Sequence, residues 1–137
     1  MEEVFLIGRI LFVYLLIGSG VGHLTQTAAM AGYAESRGVP YPKLGVRVSG
    51  IALVVGGLSI LLGIFGDLGA IGIAALMVIT AVLMHAFWKE TDATAKMTEM
   101  VAFNKDIALA GGALAFFVLF RLYDDIGGYT ITGALFG

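Results

Sequence analysis

Four long apolar stretches restrict the folds open to this chain more than any other feature of its sequence. They cover residues 4–24, 44–65, 68–88 and 107–123. A transmembrane helix needs about 20 mostly apolar residues to cross a hydrocarbon core about 30 Å thick. The last stretch is short, but residues 100–106 can lengthen it if their polar members face protein or the interface. Because backbone polar groups inside lipid must be satisfied within their own segment, the sequence predicts four transmembrane helices.

The predicted fold is all-α: an integral membrane four-helix bundle that forms one domain over residues 1–137. The chain is 59% hydrophobic and only 13% charged, which lies outside the usual range of soluble domains. Only Gly66 and Asp67 lie between the most apolar parts of the second and third stretches, so these spans should be antiparallel neighbours joined by a tight turn. Residues 1–3 carry negative charge where a signal peptide would be basic, so we expect the first span to be retained.

The distribution of lysine and arginine predicts the orientation of the bundle. The end that holds both termini and the turn at Gly66 carries only Arg9 and Arg121. The opposite end carries the other basic residues, which are Arg37, Lys43, Arg47, Lys89, Lys96 and Lys105. By the positive-inside rule, the longer loops should lie in the cytoplasm, and both termini should lie on the extracellular or periplasmic side of the plasma membrane.

Small residues recur four positions apart in three of the spans. The pairs are Gly18 with Gly22, Ala70 with Ala74, Ala108 with Gly112, and Gly111 with Ala115. Such spacing lets helix backbones approach closely where lipid provides no hydrophobic driving force for association. We therefore interpret the glycines as packing residues and not as a phosphate-binding loop.

Composition also removes several classes of function. The chain has no cysteine, which excludes disulfide exchange, thiolate catalysis and iron–sulfur ligation. A net charge of −2 provides no basic surface for nucleic acid. The partners that stay open are membrane lipid, small molecules, other membrane proteins and further copies of the chain.

The two histidines predict a polar mouth at one end of the bundle. His23 closes the first span and His85 closes the third, and alternate spans run in the same direction, so both rings should lie at the same depth. Every span contributes polar groups to this end. The predicted ligand-binding residues are His23, Arg47, His85, Trp88, Asn104 and Lys105. The alternative is an interfacial belt in which the aromatic and basic side chains contact lipid headgroups.

Metal and haem sites do not fit this pattern. Two histidines without cysteine match no spacing typical of a zinc site, so no metal is predicted. Haem held by two histidines needs a buried macrocycle, and these histidines lie too near the surface for one. No carboxylate is expected within the membrane, which disfavours proton-coupled transport.

Arg9 is the one charge placed well inside an apolar span. An arginine at the centre of a span costs about 2.5–3.5 kcal/mol and less toward the ends. Arg121 should lie at the same end of the bundle, with Asp67 and Asp124 available as partners. These four residues are predicted to form a structural charge cluster that holds the helix ends together.

Several segments resemble the DoxX family of small four-span membrane proteins. They are residues 8–11 (GRIL), 18–23 (GSGVGH), 56–63 (GGLSILLG), 85–92 (HAFWKETD) and 103–112 (FNKDIALAGG). Their order and spacing extend the resemblance over about residues 5–120. Many relatives carry a glutamate at the position of Leu53, so no role that depends on that acid is expected here.

The resemblance implies an association with quinol and thiosulfate:quinone oxidoreductases, but it does not imply that the chain is a catalyst by itself. It favours an accessory or ligand-binding subunit whose mouth holds a quinone or a lipid, with other membrane redox proteins as partners. Two other functions stay open. One is a structural or assembly module whose apolar tail, residues 130–137, packs on a neighbour. The other is a small-molecule transporter.

Overall fold

The computed structural model describes residues 1–123 and 129–136, and these residues form a helical bundle. The helices are α1 (Glu2–Thr25), α2 (Thr27–Ser36), α3 (Pro42–Leu62), α4 (Gly66–Met84) and α5 (Ala93–Leu122), with a 3₁₀ turn at Phe87–Lys89. Four of them, α1, α3, α4 and α5, are long and apolar enough to cross a membrane. The structure confirms the predicted all-α membrane bundle.

The four long helices surround one apolar core. α3 packs between α1 and α4, and α5 packs against α4. α1 and α5 close the ring through phenylalanines: Phe5 lies 5.8 Å from Phe116 and 5.7 Å from Phe120 between ring centroids, and Phe12 lies 5.0 Å from Phe116. The interior is filled by aliphatic and small side chains, among them Leu16, Ile60, Ile73, Ala70 and Ala113.

A tight turn joins α3 to α4, as the sequence predicted, but it lies slightly earlier in the chain. α3 ends at Leu62, and its C-cap, Gly63, has a left-handed φ of 61° that glycine adopts without steric cost. α4 begins at Gly66, so Gly66 and Asp67 belong to its first turn and not to the loop. The two helices pack as antiparallel neighbours.

Close backbone contact between α1 and α3 depends on Gly20 and Gly50. A Cβ atom added to Gly20 would lie 2.8 Å from the carbonyl oxygen of Gly50, and one added to Gly50 would lie 2.8 Å from the Cβ of His23. The predicted pair behaves differently: a Cβ at Gly18 would meet nothing within 4 Å, and one at Gly22 would only touch Met30. Small residues do bring α1 and α3 together, but at Gly20 and Gly50 and not at the predicted Gly18 and Gly22.

The bundle has two ends, which we name by their contents. The histidine end contains α2, the 3₁₀ turn, the last residues of α1 and α4, and the first turns of α3 and α5. The tail end contains the N terminus, the α3–α4 turn and the described C-terminal residues 129–136.

Two elements at the histidine end differ from the sequence prediction. Residues 27–36 form α2, although the chain there was treated as a loop; its alanines favour a helix too short to be recognised as a span. α5 begins at Ala93 because the Asp92 carboxylate accepts a hydrogen bond from the Ala95 backbone amide at 2.9 Å. Asn104, Lys105 and Asp106 therefore lie inside a longer helix and do not open the fourth span.

The C-terminal segment folds back on the tail end of its own bundle. The backbone amides of Ile131 and Thr132 donate to the carbonyl oxygens of Leu62 and Gly63 at 3.1 and 3.0 Å. Asp67, which is fully buried, accepts hydrogen bonds from the amides of Leu135 and Phe136 at 2.9 and 2.8 Å. The segment is thus attached to both helices of the α3–α4 hairpin.

The described residues do not form the predicted charge cluster. Arg9 is fully buried and does not extend to the surface; its Nη2 donates to the carbonyl oxygen of Tyr129 at 3.0 Å, and its guanidinium lies 4.9 Å from the Phe5 ring. Asp67 binds the tail amides instead of a cation, and Arg121 is exposed against Phe117. Asp124 lies outside the described residues. Arg9 and Asp67 therefore each hold part of the C-terminal segment.

We expect Asp67→Ala to detach the C-terminal segment from the hairpin. The substitution removes the charged acceptor of two backbone amides, at a loss of about 1.5–3 kcal/mol for each such hydrogen bond. Hydrogen exchange at Leu135 and Phe136 should accelerate markedly. Arg121→Ala, at the same end but exposed, is the control and should leave exchange unchanged. Equal protection of both amides in Asp67→Ala and the wild type would contradict the assignment.

Candidate functional site

The candidate site lies at the histidine end, where α4 stops and the chain turns toward α5. α4 ends at Met84, and His85 follows as its C-cap. Phe87 and Trp88, in the 3₁₀ turn, pack edge-on against Phe103 of α5 at centroid distances of 5.4 and 5.7 Å. This aromatic contact holds the end of α4 against α5, with the half-buried His85 ring between them.

Glu99 of α5 is the central acceptor of the site. Its Oε2 lies 2.7 Å from His85 Nδ1, and its Oε1 accepts hydrogen bonds from the Tyr33 hydroxyl and, at 2.9 Å, from Arg37 Nη2. Because an ionised carboxylate can only accept, the His85 proton is placed on Nδ1. One carboxylate thus ties α5 to the end of α4 and to α2.

The α2 helix covers Glu99 with Tyr33 and Arg37. Arg37 forms ion pairs with both Glu99 and Glu90, and its guanidinium lies 5.0 Å from the Tyr33 ring centroid. Burial raises the pKa of the Tyr33 hydroxyl, and its hydrogen bond to Glu99 raises that pKa further. Tyr33 therefore stays neutral near pH 7 and acts as a hydrogen-bond donor.

Asp106 places a second carboxylate deeper in the bundle. It lies on the same face of α5 as Glu99, two helical turns away, and is only 3% exposed. Its Oδ1 lies 3.4 Å from Lys105 Nζ, whereas its Oδ2 faces His85 Nε2 at 3.7 Å and has no hydrogen-bond partner among the described residues.

Asp106 is a buried carboxylate in a helix long and apolar enough to cross a membrane, where no carboxylate was expected. At 1.5 Å per residue, α5 runs about 24 Å from Asp106 to Leu122. That length is shorter than the hydrocarbon core of about 30 Å. Residues 100–106, which were expected to lengthen the fourth span if their polar members faced protein, belong to the same helix as residues 107–122.

His23 approaches the same region from α1. Its Nδ1 lies 2.9 Å from Ser49 Oγ, and the Ser49 hydroxyl donates to the Val46 carbonyl oxygen at 3.0 Å. Since the only proton of Ser49 is used in that bond, Ser49 accepts from His23. This assigns the His23 proton to Nδ1 and leaves Nε2 as an acceptor. The close contact of Gly20 with Gly50 brings His23 within reach of Ser49.

Two cavities lie on either side of the His23 and His85 rings. The inner cavity, about 90 Å³, lies between α1, α3, α4 and α5. The mouth, about 410 Å³, opens between α1, α2 and α4. Both cavities are lined by Ser19, His23, Thr80 and His85; Tyr33 is added in the mouth, and Ser49, Lys105 and Asp106 in the inner cavity.

A third cavity is an apolar groove of about 250 Å³ between α3 and α4, bordered at one end by α2. Its polar lining is limited to His23, Ser49 and Thr80. The remainder is aliphatic, including Val48, Ala52, Leu76, Ile79 and Leu83. His23 and Thr80 line the groove, the mouth and the inner cavity, so all three meet at these side chains.

The structure brings together half of the residues predicted for the mouth. His23, His85 and Lys105 line the inner cavity, and the two histidines also line the mouth. Arg47 and Asn104 are exposed and line none of the three cavities, and Trp88 packs on Phe87 and Phe103. The ligand-binding role of the six residues stays a prediction, and only the first three occupy positions that suit it.

Sequence reasoning missed Glu99 and Asp106, although a usable signal was present. Aspartate is a typical N-cap residue, and Asp92 stands where it can cap a helix that begins at Ala93. Such a helix carries Glu99, Phe103 and Asp106 on one face. Leu53 lines the inner cavity too, so its position faces the same space as Asp106. No group of three His, Asp or Glu side chains that could hold a metal ion is present in residues 1–123 and 129–136.

Comparison with known proteins gave one match. A family model described as DoxX matches residues 4–86, which is more than half of the chain and includes α1 to α4 with both histidines. Searches of the curated proteins and of the solved structures found no match.

Proposed function

Since the chain belongs to the DoxX family, we propose that it is an accessory, ligand-binding subunit of a quinone-linked oxidoreductase assembly in the membrane. The observation that carries the ligand half of this proposal is the meeting of an apolar groove and a polar mouth at His23. An isoprenoid quinone has the matching division into a long apolar tail and a compact polar headgroup.

The groove suits the tail of such a ligand. It lies between two membrane-spanning helices, and its aliphatic lining belongs to the lipid-exposed side of α3 and α4, with Val48, Ala52 and Ile79 all exposed. A quinone tail that enters this groove leaves the apolar lipid for an equally apolar protein surface. Its affinity therefore depends on fit and on the headgroup more than on the hydrophobic effect.

The mouth suits the headgroup. Its hydroxyls from Ser19 and Thr80 can donate to quinone carbonyl oxygens, whereas the Tyr33 proton is used in the hydrogen bond to Glu99. His23 Nε2 can accept a hydrogen bond from a quinol hydroxyl. A few polar groups at the edge of an apolar pocket are the usual form of a small-molecule site. A lipid headgroup uses the same donors, so the test must separate the two ligands.

The proposal places the histidine end in the cytoplasm of the cell. Its support is the excess of lysine and arginine at that end, since Arg9 and Arg121 are the only basic residues at the tail end. Other membrane redox proteins, or further copies of this chain, are the proposed partners. The chain contributes binding and no catalytic step of its own.

The competing function, a purely structural module, has less support in the structure than in the sequence. One of its motivations, beside the lack of cysteines and the small-residue helix faces, was an apolar tail that could pack on a neighbour. Residues 131–136 are instead hydrogen-bonded to Leu62, Gly63 and Asp67 of their own bundle.

We expect Ala52→Phe to reduce quinone retention by filling the groove. A purified protein in lipid nanodiscs should carry quinone, and the variant should retain about tenfold less, which corresponds to about 1.4 kcal/mol. The wild type should also gain thermal stability when a short-tailed quinone is added, and the variant should not.

Ala115→Phe is the matched control, because Ala115 is exposed on α5 and lines none of the cavities of the site. Phospholipid bound in place of quinone, or equal quinone retention in wild type and Ala52→Phe, would remove the ligand half of the proposal.

A further inference from the structure

We propose that His85 and Asp106 form a proton-transfer pair that loads a proton into the inner cavity from the histidine end. The pair is separate from the groove that would hold a ligand tail, and it is argued from its own geometry. It gives the bundle interior a proton-binding group that is reached from one side of the membrane.

A nitrogen of His85 and an oxygen of Asp106, both hydrogen-bond acceptors, face each other inside the bundle. Glu99 engages Nδ1 of His85, so Nε2 presents a lone pair. Asp106 Oδ2 lies 3.7 Å from that nitrogen and has no other hydrogen-bond partner within residues 1–123 and 129–136. Unpaired buried acceptors are costly, and the cost disappears when a proton or a donating water lies between them.

The inner cavity lies beside this pair and is lined by both residues. The inner cavity of about 90 Å³ can hold roughly three waters, since each occupies about 30 Å³ in the liquid. Hydroxyls of Ser19, Ser49 and Thr80 line it and provide the hydrogen-bond partners that buried waters need. A hydrated cavity can bridge the 3.7 Å between His85 and Asp106.

The inner cavity adjoins the mouth at the histidine end. His85 lines both spaces, together with Ser19, His23 and Thr80, so its ring lies on the boundary between them. Toward the tail end the cavity is bounded by Leu16, Leu53, Met77 and Leu109, and beyond them lies the apolar core around Ile60 and Phe120. Water and protons can therefore reach Asp106 from the mouth, past His85, and not through the core.

The proposed step conserves protons and needs no oxidant or reductant. A hydronium ion in the mouth gives a proton to His85 Nε2, so an N–H bond forms as a hydronium O–H bond breaks, and water remains in the mouth. Throughout the step, His85 Nδ1 keeps its proton and its hydrogen bond to Glu99. The Nε2 proton then passes to Asp106 Oδ2, directly or through one water, and His85 returns to its neutral form.

The titratable and charged neighbours of the pair belong to three other parts of the chain as well as to α5. They are His23 of α1, Tyr33 and Arg37 of α2, Glu90 after the 3₁₀ turn, and Glu99 and Lys105 of α5. Arg37 forms ion pairs with Glu90 and Glu99, so its positive charge offsets the negative charge of these acids near His85 Nδ1. Lys105, about half exposed, lies 3.4 Å from Oδ1 of Asp106 and leaves Oδ2 to His85.

Nitrogen NMR tests the coupling, since the chain contains only two histidines. Protein labelled with ¹⁵N-histidine in nanodiscs gives four ring signals, and His23→Gln identifies those of His85. Asp106→Asn should shift the Nε2 signal of His85 and leave Nδ1 in place, whereas Glu99→Gln should shift Nδ1. Glu35→Gln, an exposed carboxylate of α2, should shift neither. An unchanged Nε2 signal in Asp106→Asn would overturn the proposal.

Infrared spectroscopy tests the transfer. Lowering the pH should produce a carbonyl band of protonated carboxylic acid that Asp106→Asn removes. Its exchange with deuterated water should slow roughly tenfold or more in His85→Gln, since positioned acid–base groups commonly accelerate proton transfer by at least that factor. The absence of this band at every pH where the protein is folded, or equal exchange rates, would refute the transfer. Neither measurement depends on quinone binding for its readout, so ligand binding and proton transfer can fail separately.

Discussion

Gly20→Val is expected to separate α1 from α3 and to destabilise the bundle by about 3 kcal/mol, the upper part of the usual range for overpacking. The first added atom alone would lie 2.7 Å from Val54 Cγ2, 2.8 Å from the Gly50 carbonyl oxygen and 3.0 Å from the Leu53 Cβ. A side chain can rotate away, but a backbone carbonyl cannot, so the helices have to move apart. His23 then loses its hydrogen bond to Ser49, which is 2.9 Å long in the native bundle.

Gly18→Val is the matched control in the same helix. It adds the same side chain two positions away, where a Cβ meets nothing within 4 Å. Unfolding in detergent or in nanodiscs, followed by the fluorescence of the single tryptophan, Trp88, should show a lower midpoint for Gly20→Val only. Similar losses in both variants would mean that helix propensity, and not the α1–α3 contact, determines the effect.

The glycine result shows what hydropathy and spacing can and cannot predict. Four spans follow from apolar length, because backbone satisfaction in lipid leaves few alternatives. Which small residues touch depends on how each helix is rotated about its axis, and the sequence of one helix does not contain that information. Ala70 and Ala74 are buried as expected, whereas Gly111 and Ala115 are exposed.

The candidate site was predictable in its location but not in its central residues. Helix direction alone brings His23 and His85 to one end. Glu99 was expected in a loop because the apolar stretch stops where the charged residues begin. The α5 helix nevertheless continues through those charged residues. Arg47 and Asn104 were expected in the mouth, but their positions on the helical turns of α3 and α5 direct them outward.

The predicted charge cluster failed for a different reason. Opposite charges at one end of a bundle suggest ion pairs, but backbone amides compete with cations for a buried carboxylate. Asp67 binds two amides of the C-terminal segment, and Arg9 donates to a carbonyl oxygen of the same segment. Contacts between residues this far apart in the chain cannot be read from local patterns.

Glu99→Ala is expected to release α2 and the end of α4 from α5, with a loss of about 1.5–3 kcal/mol, because the half-buried carboxylate is a charged hydrogen-bond acceptor for three side chains. The carboxylate accepts from Tyr33, Arg37 and His85, and the side chains of Arg37 and Glu99 are 16% and 12% exposed. Arg37 keeps its ion pair with Glu90, so the variant removes only one of the two ion pairs of Arg37.

Hydrogen exchange can separate this local release from global unfolding. Amides of α2 and of residues 85–90 should exchange faster in Glu99→Ala, while those in the core of α3 keep their protection. Glu99→Gln keeps one acceptor oxygen and should lie between the wild type and the alanine variant. Glu35→Ala removes an exposed acid from α2 and should change neither stability nor exchange. If Glu99→Ala matched Glu35→Ala in both measurements, the three hydrogen bonds to Glu99 would contribute nothing to holding the histidine end together, and His85 would owe its position to the aromatic contact of Phe87 and Trp88 with Phe103 alone.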